Sequence, residues 1–185
     1  MLNHSKIVKF VAGLTAMTLL PAAAQAATAT ATAKASVLKP LVMVGGQTVD
    51  LGSIVTPSTA TFTGTFNVDA AASQTTTFCA AGFSCLGTVK AAMFNLQGTN
   101  NANITLNVPT SVTMTLLGAT GTPPTLTLTT KNSIAANVVG GNYTITLPNS
   151  GAPGRDFYVG GAVTINETTA GGTYQGTFTV TADYQ

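Results

Sequence analysis

A chain of 185 residues with charge at only 6% of positions and a 45% hydrophobic content is long enough to bury a core and too apolar to be a disordered tail. Apart from His4, Lys6 and Lys9 near the N-terminus, Lys34, Lys39, Lys90, Lys131 and Arg155 balance Asp50, Asp69, Asp156, Glu167 and Asp183. Five scattered cations cannot track a phosphate backbone or an anionic bilayer, which sets aside nucleic acid and polybasic membrane binding.

The first element predicted is a signal peptide over residues 1–26. Lys6 and Lys9 precede an apolar run over 10–20, and Pro21-Ala-Ala-Ala-Gln-Ala26 supplies small residues for cleavage after Ala26. The run is about half of the roughly 20 residues that span a bilayer, so no membrane span is expected after cleavage. Export would leave 159 of the 185 residues, without a histidine.

Residues 27–44 form an extended N-terminal segment. Ala27-Thr-Ala-Thr-Ala-Thr-Ala-Lys-Ala-Ser-Val37 alternates Ala with polar residues before Leu38-Lys-Pro-Leu-Val-Met-Val44. Low complexity fits a flexible leader, and period-two alternation fits an edge strand or a strand donated to a neighbour. In the donated case Val37, Leu38, Leu41 and Val42 supply the apolar anchors, because Ala buries little area.

Residues 45–185 read as one β-domain. Runs of Thr, Val, Ile, Leu and aromatics predict strands at 48–51, 59–68, 89–96, 104–108, 112–117, 125–130, 143–147, 157–165 and 174–184. Between them lie turn-forming stretches such as Thr56-Pro57-Ser58, Pro109-Thr-Ser111 and Ala170-Gly-Gly-Thr173. Gly140-Gly141 and Gly160-Gly161 read as turns or bulges. Strands at roughly ten-residue spacing predict an all-β, immunoglobulin-like antiparallel sandwich, with a barrel as the other architecture.

Cys79 and Cys85, the two cysteines of an exported chain, predict a disulfide closing a short loop; there is no Cys-x-x-Cys motif or mature histidine to suggest metal or redox use. The last predicted strand has Tyr174, Gly176, Phe178, Val180, Ala182 and Tyr184 on one face and polar residues on the other. Phe178, Val180 and Tyr184 are therefore the candidate acceptor strand for a donated segment.

Chemistry-bearing patterns are sparse. Without a mature histidine no Ser-His-Asp or Cys-His unit can form, and the Gly pairs lack the following helix that phosphate binding uses. Asp156 and Glu167 are the one carboxylate pair within a single hairpin region, the arrangement a glycosidase would need. No catalytic residue, metal site or cofactor is expected.

Leu51-Gly-Ser-Ile-Val55, Tyr143-Thr-Ile-Thr-Leu-Pro148, the stretch from Asp156 to Ile165 and the ending Ala170 to Gln185 together resemble the bacterial family known as domain of unknown function 4402. The Gly-x-Tyr-x-Gly-Thr-Phe-x-Val-x-x-x-Tyr ending also resembles the last strand of spore-coat-protein-U-like and archaic chaperone–usher pilins. That resemblance implies a fibre subunit, although those pilins place their cysteines to staple strands. The expectation is a non-catalytic exported structural protein, a pilus, surface-fibre or adhesin-like subunit in the periplasm, at the outer surface or outside the cell. Its partners would be copies of itself or a periplasmic chaperone. The alternative is a monomeric module binding a glycan through Tyr143, Tyr158 or Tyr174.

Overall fold

The computed structural model describes residues 28–45, 47–74, 78–135 and 138–185; the expected signal peptide lies outside them. Two units are distinguished, one ending at Ser36 and the other spanning Val37–Gln185. In the first, residues 28–36 are exposed and have no regular secondary structure.

Alternation drives the second unit. Thr63 and Thr65 are exposed where Phe66 and Val68 are buried, and Ser111, Thr113 and Thr115 are exposed where Val112 and Met114 are buried. One face of each such strand must therefore be covered. In chain order the strands are β1 (Val42–Gly45), β2 (Ser53–Val55), β3 (Thr63–Val68), β4 (Ser84–Leu86), β5 (Ala92–Gln97), β6 (Asn103–Val108), β7 (Ser111–Leu116), β8 (Thr125–Asn132), β9 (Val138–Val139), β10 (Gly141–Thr146), β11 (Arg155–Asn166), β12 (Tyr174–Gln175) and β13 (Thr181–Tyr184). No helix occurs among the described residues, and all strand pairings are antiparallel.

One sheet runs β1-β5-β11-β8-β7-β12, with β3 added to β11 and β9 to β8; a three-stranded sheet runs β10-β6-β13; β2 and β4 make a separate pair. The expected all-β sandwich is what forms. Two apolar clusters fill it. Leu96, Phe157 and Val159 of the larger sheet pack with Ile104, Leu106, Val108 and Ile145 of the three-stranded sheet. On the same large sheet Phe66, Val112, Met114, Leu128 and Val163 form a second cluster, covered by Val49, Leu51, Ile54, Phe78 and Phe83.

Besides the unexpected short strands β2, β4 and β9 and a β3 that begins only at Thr63 of the expected 59–68, three details depart from the sequence reading. Gly160 and Gly161 lie inside β11, not in a turn or bulge. There β11 exchanges one edge partner for another, Arg155–Val159 pairing with β5 and Gly161–Asn166 with β3. A Cβ on Gly160 would collide with the backbone of Val68, Asp69 and Ala70, so the chain needs glycine where β3 arrives.

The predicted strand 174–184 is also not continuous. Tyr174 and Gln175 pair with Leu116 and Thr115 in the large sheet, whereas Thr181–Tyr184 pair with Asn107–Ile104 in the three-stranded sheet. Residues 176–180 cross between the layers without a ladder partner among the described residues. Alternation reports which face is buried and is blind to which sheet a strand joins.

The third departure is at 48–51, expected as a strand, which makes one bridge, Asp50 to Lys90, and passes to β2.

Candidate functional site

Cluster two is the incompletely covered part of the sandwich. The three-stranded sheet covers cluster one, while the lid over cluster two is an irregular stretch and the short β2–β4 pair. Cys85 sits on β4, opposite Ile54 of β2, and is bonded to Cys79, as expected from the sequence. The closed loop also presents Phe83 to the core, 5.0 Å from Phe66 and edge-on to it. The disulfide therefore holds a lid element and its aromatic wedge together.

Beneath the lid a groove of about 710 Å³ remains. Its floor is Val112, Met114, Leu126, Leu128, Val163 and Ile165; one wall is residues 48–54, and the other is residues 169–176 with Phe178. That volume lies in the range of sites that take a ligand or a short peptide. Phe178 ties the groove to the rest of the core, since it packs on both clusters and lies 6.3 Å from Phe94, which in turn stacks on Phe157 at 5.2 Å. Gly176 lets the crossing segment lie directly on β7, because a Cβ there would stand 2.6 Å from the Thr113 carbonyl oxygen.

The candidate acceptor residues separate. Phe178 lines the groove, Val180 is buried in cluster one, and Tyr184 lies on β13. Tyr184 is instead a clamp: its hydroxyl donates to the Lys39 carbonyl (2.8 Å) and accepts the Thr99 N–H (2.8 Å), while the Lys39 N–H donates to Thr99 Oγ1 (2.6 Å).

The candidate donor residues separate too. Leu41 packs against cluster one, and Val42 pairs with Gln97 as the first residue of β1, so this end of the segment is an edge strand of its own sandwich. Val42 keeps 47% of its surface exposed, Leu38 49% and Val37 87%. The anchors still free for another chain are Val37 and Leu38.

The tyrosines do not gather into one platform. Tyr143 is on β10 with its hydroxyl donating to the Val139 carbonyl, Tyr158 is on β11 between buried Phe157 and Val159, and Tyr174 donates to the Ala170 carbonyl at the groove wall. Asp156 is the second residue of β11 and accepts from Asn95 Nδ2, while Glu167 follows its other end. Ten strand residues lie between these carboxylates and hold them roughly 35 Å apart, far beyond the roughly 5–10 Å of a glycosidase pair. Among the described residues no three His, Cys, Asp or Glu side chains form a metal-binding group, and no helix is long and apolar enough to cross a membrane.

The groove itself was missed by the sequence reading, because its walls come from segments more than a hundred residues apart. The Gly-rich 170–176 stretch was the one local signal. No curated protein matches the chain. The family profile described as "Domain of unknown function (DUF4402)" matches residues 41–184, taking in β1, the lid, both sheets and the C-terminal crossing, and the chain belongs to that family.

Proposed function

We propose that this protein is an exported, non-catalytic structural subunit that links to copies of itself by strand donation, in a surface fibre or adhesin-like assembly. The observation that carries this reading is the groove with an apolar floor beside residues 176–180, whose backbone has no ladder partner among the described residues. A guest strand lying there would gain main-chain hydrogen bonds along the crossing segment and cover the half-buried Leu126, Ile165, Tyr174 and Phe178, above the buried floor of Val112, Met114, Leu128 and Val163. Each sandwich also carries an exposed, alternating segment at 28–36, followed by exposed Val37 and Leu38, which suits the guest role. Donation from one copy into the next is heterologous and propagates head to tail. A periplasmic chaperone would hold the same groove before assembly. The cysteine bridge and the signal-like N-terminus support export to the periplasm, outer surface or medium.

Light scattering and electron microscopy of the mature protein, with and without residues 27–36, test the reading. Ladders or filaments that vanish on deletion support it. Monomers in both forms sink it.

A further inference from the structure

The groove is apolar on its floor and acidic at its margin. Asp50 and Glu167 both line it and are exposed, and no lysine or arginine is in the lining. One Asp50 oxygen, Oδ1, accepts the Gly52 N–H at 2.8 Å, and Lys90 meets Asp50 through the backbone bridge. Lys90 borders an adjoining recess with Gln47, Thr48 and Asp50, the last two of which also line the groove. Among the described residues neither carboxylate is in an ion pair.

Residues 27–38 contain one charged side chain, Lys34, and no acid. As a strand they place Ala27 to Ala35 and Val37 on one face and Lys34, with the threonines, Ser36 and Leu38, on the other. With the Ala and Val face on the groove floor, Lys34 points out toward the margin. A slip of one residue would drive its ammonium onto Met114 and Leu128, which no register can sustain. Slips of two residues are the harder problem. The Ala-Thr repeat over 27–33 superimposes on itself at every such shift, so methyl groups alone cannot choose among them. A single cation facing a margin whose charged residues are both carboxylates breaks that degeneracy.

We propose that Lys34 of one copy pairs with the Glu167 and Asp50 carboxylates of the next, and that this contact sets the register of the donated strand. The inference rests on the strand-donation reading above, naming the second copy as the groove's occupant and fixing how it lies.

The test uses full-length mature protein and follows the concentration at which assembly is half complete, at low and at high salt. Lys34→Ala should raise that concentration about threefold at low salt, within the range of exposed ion pairs, with little change at high salt. Lys34→Glu should raise it further, and Lys34→Arg should assemble like the parent. Reversal on the other side, Asp50→Lys with Glu167→Lys, should impair assembly alone, and mixing it with Lys34→Glu should restore junctions in which the reversed charges meet. Parent protein that assembles while Lys34→Glu assembles equally well, or a mixture without rescue, overturns the register and leaves strand donation standing. Parent protein that never assembles overturns both.

Discussion

Replacing Cys79 and Cys85 by serine should loosen the lid without unfolding the sandwich. The cysteines are six residues apart, so on the chain-entropy relation the closed loop restrains the unfolded chain by about 2 kcal/mol. For a domain of this length that corresponds to a melting temperature lower by roughly 4–8 °C. The larger effect is local. Cys85 lies on β4, whose sole ladder partner among the described residues is β2, and the same loop sets Phe83 against Phe66 and Phe62. Freed of the bridge, the β2–β4 pair loses one of its few ties, and amide exchange at Ile54 and Val55 should accelerate by tenfold or more while amides of β6 and β11 slow or quicken only with global stability. Hydrogen exchange read by mass spectrometry, alongside urea denaturation, measures both. Equal exchange at 53–55 with and without the bridge would refute the assignment of the disulfide to the lid. A loss above about 5 kcal/mol would equally refute it, since the bridge would then be holding the whole fold.

Gly160→Ala should cost about 3 kcal/mol or more in urea denaturation, because the new methyl meets the backbone of Val68 and Asp69, which cannot move without disturbing β3. Gly171→Ala, with no atom near its Cβ, should stay within about 0.5 kcal/mol of the parent. Tyr184→Phe removes a hydroxyl shared by the Lys39 carbonyl and the Thr99 N–H and should cost about 1–3 kcal/mol, with faster exchange across 42–45; unchanged exchange there would show that Tyr184 does not clamp β1. Phe178→Ala should cost about 2–4 kcal/mol by opening a cavity between the two clusters, and a change near zero would mean they do not meet through this ring.

Strand content was legible where alternation was strict. In β3, β7 and β11 the buried set is the apolar set read from sequence, and local pattern suffices because one face of each strand meets the core, whereas in β8 the buried face carries Thr130 and Asn132 beside Leu128. What sequence could not convey was non-local. The ending 174–184 alternates without a break, yet Tyr174 and Thr181 belong to different sheets, a choice made by the positions of β7 and β6. Leu41 and Val42 read from sequence as donated anchors with an edge strand as the other possibility, and the Tyr184 hydroxyl, 145 residues from the Lys39 carbonyl that it binds, helps settle the edge role. The lid at 48–56 lacks strong periodicity because it is held by a disulfide-bound neighbour and aromatic wedges instead of a long ladder. The candidate site was therefore half visible. Phe178 and the exposed end of the N-terminal segment were named from pattern, whereas Asp50, Glu167 and the floor of the groove come together only in the folded chain.

The most direct measurement of strand donation is a methyl-labelled NMR titration of mature protein lacking residues 27–36 with a synthetic peptide of residues 27–38. Saturable shifts at Val112, Met114, Leu128 and Val163, with those of cluster one unchanged, are the predicted result. Silence at these four methyl sites, or shifts confined to the surfaces around Tyr143 and Tyr158, would contradict it.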